Sequence, residues 1–122
     1  MNERLSKEIE PGKLDIQTAP LPLTDHALDR FKKRWTPLDK YDAVPENDQE
    51  WREKFEAIVR NSYEVSLRKN VAVKRLIDSD FKDARYFLNK TYNLRFVVRE
   101  DNGSLVVITV ENPIDQAGTD IR

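Results

Sequence analysis

His26 is the only histidine in the chain, and Arg30 and Lys33 follow it at i+4 and i+7. At about 100° per residue these positions occupy a sector roughly 60° wide on a helix, so the three side chains would share one face. Histidine is the side chain type that changes charge near neutral pH. A general base beside two cations is what cleavage of an RNA backbone uses. The base takes the 2′-hydroxyl proton, while Arg and Lys hold the phosphate and the charge that develops on it. The same spacing also describes a first-turn histidine on a solvated face, with Arg30, Lys32, Lys33 and Arg34 as an exposed basic stripe. Spacing alone leaves both readings open.

A second group of candidates lies further on. Arg95 and Arg99, four apart in a strand-like run, would point to one face and could grip successive phosphates. Tyr86 and Tyr92 could stack on bases. Lys90, Tyr92, Arg95 and Arg99 are therefore the candidate RNA-binding set. Thr109 interrupts the apolar run Leu105, Val106, Val107, Ile108, Val110. Its hydroxyl could contact a phosphate, although a β-branched Thr is also a good strand former.

Composition narrows the chemistry. With Cys 0 there is no cysteine nucleophile, disulfide or thiolate metal site. One histidine and no regularly spaced acidic loop leave no zinc or calcium site to propose. Three glycines make neither phosphate-binding glycine loop, and nothing marks a nucleophile elbow. No cofactor is expected.

The net charge of -1 argues against a protein that coats nucleic acid by bulk electrostatics, but the charge is unevenly spread. Residues 64–99 carry nine Lys or Arg against four acids, a balance of +5; residues 101–122 carry one Arg against four acids, a balance of -3. The chain has 122 residues, 35% of them charged, and a mean hydropathy of -0.73. That describes one polar-surfaced domain able to bury a single core. No apolar run approaches the roughly 20 residues that span a bilayer, and the start MNERLSKEIEPGK lacks the apolar stretch of a signal peptide. The expectation is a cytoplasmic protein with no membrane partner.

The elements that must position these residues are legible in outline. Residues 1–23, with Pro11, Gly12, Pro20 and Pro22, read as an extended N-terminal arm, either packed loosely on the domain or docking a partner. Thr24 and Asp25 can cap a first helix that runs to about Trp35, with Leu28, Phe31 and Trp35 as its apolar stripe and Pro37 ending it. Asn47 and Glu50 have capping-box spacing. They open a second helix whose apolar positions are Trp51, Phe55, Ile58 and Val59.

Tyr63, Val65 and Leu67 alternate as a strand would, whereas Val73, Leu76 and Ile77 suit a helix better. From Ala84 onward period two dominates, and Asn102-Gly103 is a type I′ hairpin signal. A two-residue loop there sets Asp101 opposite Ser104, Val98 opposite Val107, Phe96 opposite Thr109 and Arg95 opposite Val110. Leu94, Phe96, Val98, Leu105, Val107 and Thr109 would then share a face. The expected fold is α+β: N-terminal helices packed on a C-terminal antiparallel β-meander, a single domain over 24–113 and an irregular tail over 114–122.

The string TDHALDRFKKRW, followed by a second helix and then ARYFLNKTYNLRFVVREDNGSLVVITV, resembles small phage and toxin-system proteins of the barnase, colicin and RelE-like ribonuclease superfamily. In that group an early helix carries H-x-x-x-R, and a terminal meander ends in an apolar strand with an embedded Thr. The resemblance covers residues 24–112. It implies a metal-independent RNA-cleaving toxin or phage-encoded nuclease, or a degenerate relative of one. On that pattern His26 is the general base or acid, Arg30 and Lys33 are phosphate ligands, and Thr109 is a strand hydroxyl at the scissile site. Its partners would be RNA and a protein such as a cognate antitoxin. The segregated charge and the Pro-rich arm also fit a different class: a non-enzymatic phage or mobile-element protein that binds, and so inhibits or redirects, a host complex.

Overall fold

A computed structural model describes residues 14–18, 21–67, 74–75, 84–113 and 119–121. Two helices, α1 (Asp25–Arg34) and α2 (Asp48–Arg60), precede strands β1 (Tyr63–Leu67), β2 (Arg85–Asn89), β3 (Leu94–Asp101), β4 (Ser104–Glu111) and β5 (Thr119–Ile121). The strands form one antiparallel sheet in the order β4-β3-β2-β1-β5. The fold is the α+β arrangement expected, with helices N-terminal to the meander. The tail read as irregular contributes β5, which pairs with β1.

Each helix starts where its cap dictates. Thr24 Oγ1 accepts the Ala27 N–H at 3.0 Å, and Asn47 Oδ1 accepts the Glu50 N–H at 2.9 Å. The box at Asn47 closes one residue early, because the Glu50 carboxylate accepts from the Glu46 N–H at 3.0 Å. Leu28, Phe31 and Trp35 are buried as their spacing requires, and so are Phe55, Ile58 and Val59. The core lies between the helices and one face of the sheet. Phe31 meets Trp51 and Phe55 edge-on, with centroids 5.7 and 5.6 Å away, and Phe55 meets Phe96 at 5.7 Å.

The described residues of the N-terminal segment, 14–18 and 21–23, pack on this core. Ile16 and Leu21 are buried in it. Arg85 donates to the Leu14 carbonyl at 2.7 Å and Arg60 to the Ile16 carbonyl at 3.0 Å, which fastens the segment at two points. Further along, the Thr24 N–H donates to the Val107 carbonyl at 3.1 Å, and the Val107 N–H donates to the Pro22 carbonyl at 3.0 Å. Pro22 to Thr24 thereby pair with the outer side of β4 and cover part of that edge. The first thirteen residues of the proposed arm lie outside the described residues. So does most of the stretch with competing strand and helix signals, of which 63–67 is strand and Lys74 and Arg75 are helical.

The hairpin turn is where expected, with positive φ at Asn102 (52°) and Gly103 (81°), and its register holds as far as Val98 opposite Val107. Beyond that point the expected pairing is wrong by one residue. A bulge at Ile108 sets Val97 opposite Thr109, Phe96 opposite Val110 and Arg95 opposite Glu111. The slip has a physical reason. Unshifted pairing would turn the Thr109 hydroxyl into the apolar core and leave the Arg95 guanidinium facing Val110. With the bulge, Val110 fills the core at 1% exposure and Arg95 Nε reaches Glu111 Oε1 at 2.7 Å. Each avoided mismatch is worth roughly 1–3 kcal/mol.

Candidate active site

His26 and Thr109 are 83 positions apart in sequence, and the fold brings them together: His26 Nε2 lies 3.3 Å from Thr109 Oγ1 on an exposed surface. Three features make the contact. The bulge turns Thr109 away from the core. The helix cap fixes the start of α1 against the bulge itself, because the Thr24 hydroxyl that accepts from Ala27 also donates to the Ile108 carbonyl at 3.4 Å. At the far end of the helix, Asn112 Nδ2 donates to the Arg34 carbonyl at 3.2 Å and to the Asn93 carbonyl at 2.9 Å. α1 is thus tied to β4 at both ends, with His26 in its first turn.

The cations expected beside His26 are present but differ in state. Arg30, one turn on and half-buried, makes no hydrogen bond or ion pair with any described residue. Lys33 is exposed and sits 3.2 Å from Asp29 Oδ2, an i,i+4 surface pair that a phosphate can displace at little cost. Lys32 turns the other way and pairs with Asp48 at 2.6 Å.

The RNA-binding set does not assemble as one patch around this site. Arg95 shares a sheet face with Thr109, since Val97 is the partner of Thr109 and Arg95 the partner of the next residue but one on β4, Glu111. Its charge is engaged, however, by Glu111, which also holds Arg75 at 2.9 Å. Glu111 thus bridges the two guanidiniums, a strand step of roughly 7 Å from Thr109. Arg99 lies further toward the hairpin, with Nε buried and unpartnered among the described residues. Tyr86 is covered by the Arg75 guanidinium at 5.5 Å from its ring. Tyr92 packs on Trp35 at 5.9 Å and donates its hydroxyl to Asp42 at 2.7 Å. Tyr92 packs from the β2–β3 turn against the helix layer, and Lys90 in the same turn is exposed.

Comparison with family models, curated proteins and solved structures finds no match for this chain.

Chemically, an imidazole hydrogen-bonded to a hydroxyl, open to solvent and one helical turn from a guanidinium with no partner among the described residues, can exchange a proton with a bound hydroxyl while the cation holds an adjacent anion. Among the described residues there is no cluster of His, Asp and Glu able to hold a metal ion. Residue type and position single out His26, Arg30 and Thr109 in the sequence, and the fold brings His26 and Thr109 into contact. They do not single out Thr24 as the residue that sets this geometry. The signal was present, as a cap residue two positions before the only histidine, but its second partner on β4 depends on the bulge.

Proposed function

We propose that the chain is a ribonuclease that cleaves by attack of the substrate's own 2′-hydroxyl, with His26 as general base, Arg30 and Lys33 as phosphate ligands and Thr109 as a hydrogen-bonding partner of His26 and the phosphate. The observation that carries the reading is the 3.3 Å contact between His26 and Thr109, beside Arg30 with no described partner. Such a reaction supplies its nucleophile from the RNA. The protein has to accept the 2′-hydroxyl proton, orient the phosphate and stabilise the charge on it, and these residue types do those three things; as the new P–O2′ bond forms the P–O5′ bond breaks, and the departing 5′-oxygen takes its proton from solvent. Arg95, on the Thr109 face, offers a further guanidinium to a neighbouring phosphate. A phage or toxin-system origin, as the resemblance implies, fits an intracellular RNA target.

The test is an oligodeoxynucleotide containing one ribonucleotide, incubated with the protein in EDTA. Cleavage is expected 3′ to the ribonucleotide, leaving a 2′,3′-cyclic phosphate, and the all-deoxy strand should survive. His26→Ala should slow the reaction by about 10²–10⁴-fold, the usual share of a general base. Absence of cleavage by the wild-type protein, or cleavage that His26→Ala leaves unchanged, would overturn the assignment.

A further inference from the structure

Leu38, Tyr41 and Val44 are 55%, 81% and 57% exposed, and they are the large apolar side chains that stand out in solvent among the described residues. All three fall in the loop joining α1 to α2. Three such residues so close in a small domain signal an interaction surface more than chance exposure.

The loop is held tightly. Asp42 accepts from the Leu38 N–H at 3.0 Å, from Lys54 Nζ at 2.8 Å and from the Tyr92 hydroxyl at 2.7 Å. Lys54 donates also to the Ala43 carbonyl at 3.0 Å, and Asp39 accepts the Tyr41 N–H at 2.8 Å. The apolar side chains are therefore displayed on a preorganised backbone, which lowers the entropy lost when a partner binds. Beside them lies an open groove of about 420 Å³, walled by Val44, Pro45, Ala57 and Ile58 and rimmed by Glu50 and Glu53.

Charge decides what could occupy it. Lys54 also lines the groove, but its ammonium is committed to Asp42. Glu50 and Glu53 on the rim, and Glu46 next to it in the loop, form no ion pair with any described residue, so the rim is anionic among the described residues. Phosphate of a nucleic acid or an anionic lipid would be repelled there. We infer that the groove docks a protein segment that presents an apolar side chain between lysines or arginines: the apolar group enters against Val44 and Ile58, and the cations meet Glu50 and Glu53. This surface lies at the C-terminal end of α1, away from His26 in its first turn, and the inference does not depend on the ribonuclease reading.

The full chain would be titrated with three synthetic peptides of equal length, one of Lys and Leu, one of Glu and Leu and one of Lys and Ser, and binding followed by fluorescence anisotropy and amide NMR shifts. The Lys/Leu peptide is expected to bind, with shifts confined to the α1–α2 loop and α2. Val44→Ser and Glu53→Lys, both at exposed positions, should each weaken it by about tenfold or more without changing the melting temperature. No binding, equal binding of the Lys/Ser peptide, or shifts centred elsewhere would overturn the proposal. So would an RNA oligonucleotide that produced the same shifts, or a concentration-dependent dimer that Val44→Ser abolished, since either would name a different occupant.

Discussion

A single hydroxyl separates two accounts of Thr109, and it can be removed without changing the shape of the side chain. If the residue is only a strand former, Thr109→Val should be neutral or mildly stabilising, since valine suits the pleated backbone at least as well. If the hydroxyl hydrogen-bonds His26 and the charged phosphate, its loss removes an interaction of roughly 1.5–3 kcal/mol, or about 10–150-fold in turnover. Thr109→Ser should retain most activity, and thermal melts should show that both variants fold. The residues of this site were legible one by one: a lone histidine with cations at helical spacing, and a threonine inside an apolar strand. Their electrostatic state was not. Arg95 looked available until Glu111 was placed opposite it, and Tyr92 looked like a stacking surface until its hydroxyl was found on Asp42.

What the elements add is placement, and there the bulge at Ile108 and the cap at Thr24 act together. Thr24→Ala removes both the cap and the bond to the Ile108 carbonyl. A cap alone costs about 0.5–2 kcal/mol of stability. If Thr24 also positions His26 over Thr109, the variant should lose turnover with little change in KM, and Thr24→Ser should restore both stability and turnover. A purely structural role would move the melting temperature alone. The helices and the hairpin turn could be read from the sequence because capping residues, apolar stripes and Asn102-Gly103 are local signals. The register beyond Val98 could not, because the shift is driven by partners distant in sequence: Pro22 and Thr24 on the strand edge and Arg95 against Glu111.

The Asp42 hub was illegible for the same reason, joining Leu38, Lys54 and Tyr92 from three elements. The Lys54 ammonium, the Leu38 N–H and the Tyr92 hydroxyl together pull the Asp42 carboxyl from 3.8 down to about 2. Between those values the unfolded chain binds the proton that the folded chain refuses. The contribution of Asp42 is therefore complete above about pH 4 and is lost as pH falls toward and through about 2. Asp42→Ala should reduce stability at neutral pH by roughly 1–3 kcal/mol, since it leaves the largely buried Lys54 ammonium with the Ala43 carbonyl but without its carboxylate partner. It should also flatten that part of the acid-denaturation profile, measured by melting temperature against pH.

At the scale of the molecule, the near-zero net charge constrains how RNA could be held. A chain with net charge -1 has no global field to draw in a polyanion, so attraction has to come from the few cations at the site and should be correspondingly salt-sensitive in proportion to their number. Two phosphate contacts, from Arg30 and Lys33, give a slope of log affinity against log salt of about -1.4 on single-stranded RNA, at roughly 0.7 for each. Arg30→Ala should weaken binding of a non-cleavable 2′-deoxy substrate and bring the slope to about -0.7. Lys33→Ala should do the same to a smaller degree, because Asp29 already screens that ammonium in the free protein. A slope several times steeper, unchanged by either substitution, would mean that the basic segment over residues 64–99 and not α1 carries the backbone contacts. It would move the RNA path across the sheet face toward Arg75 and Arg95, where Glu111 now stands between them.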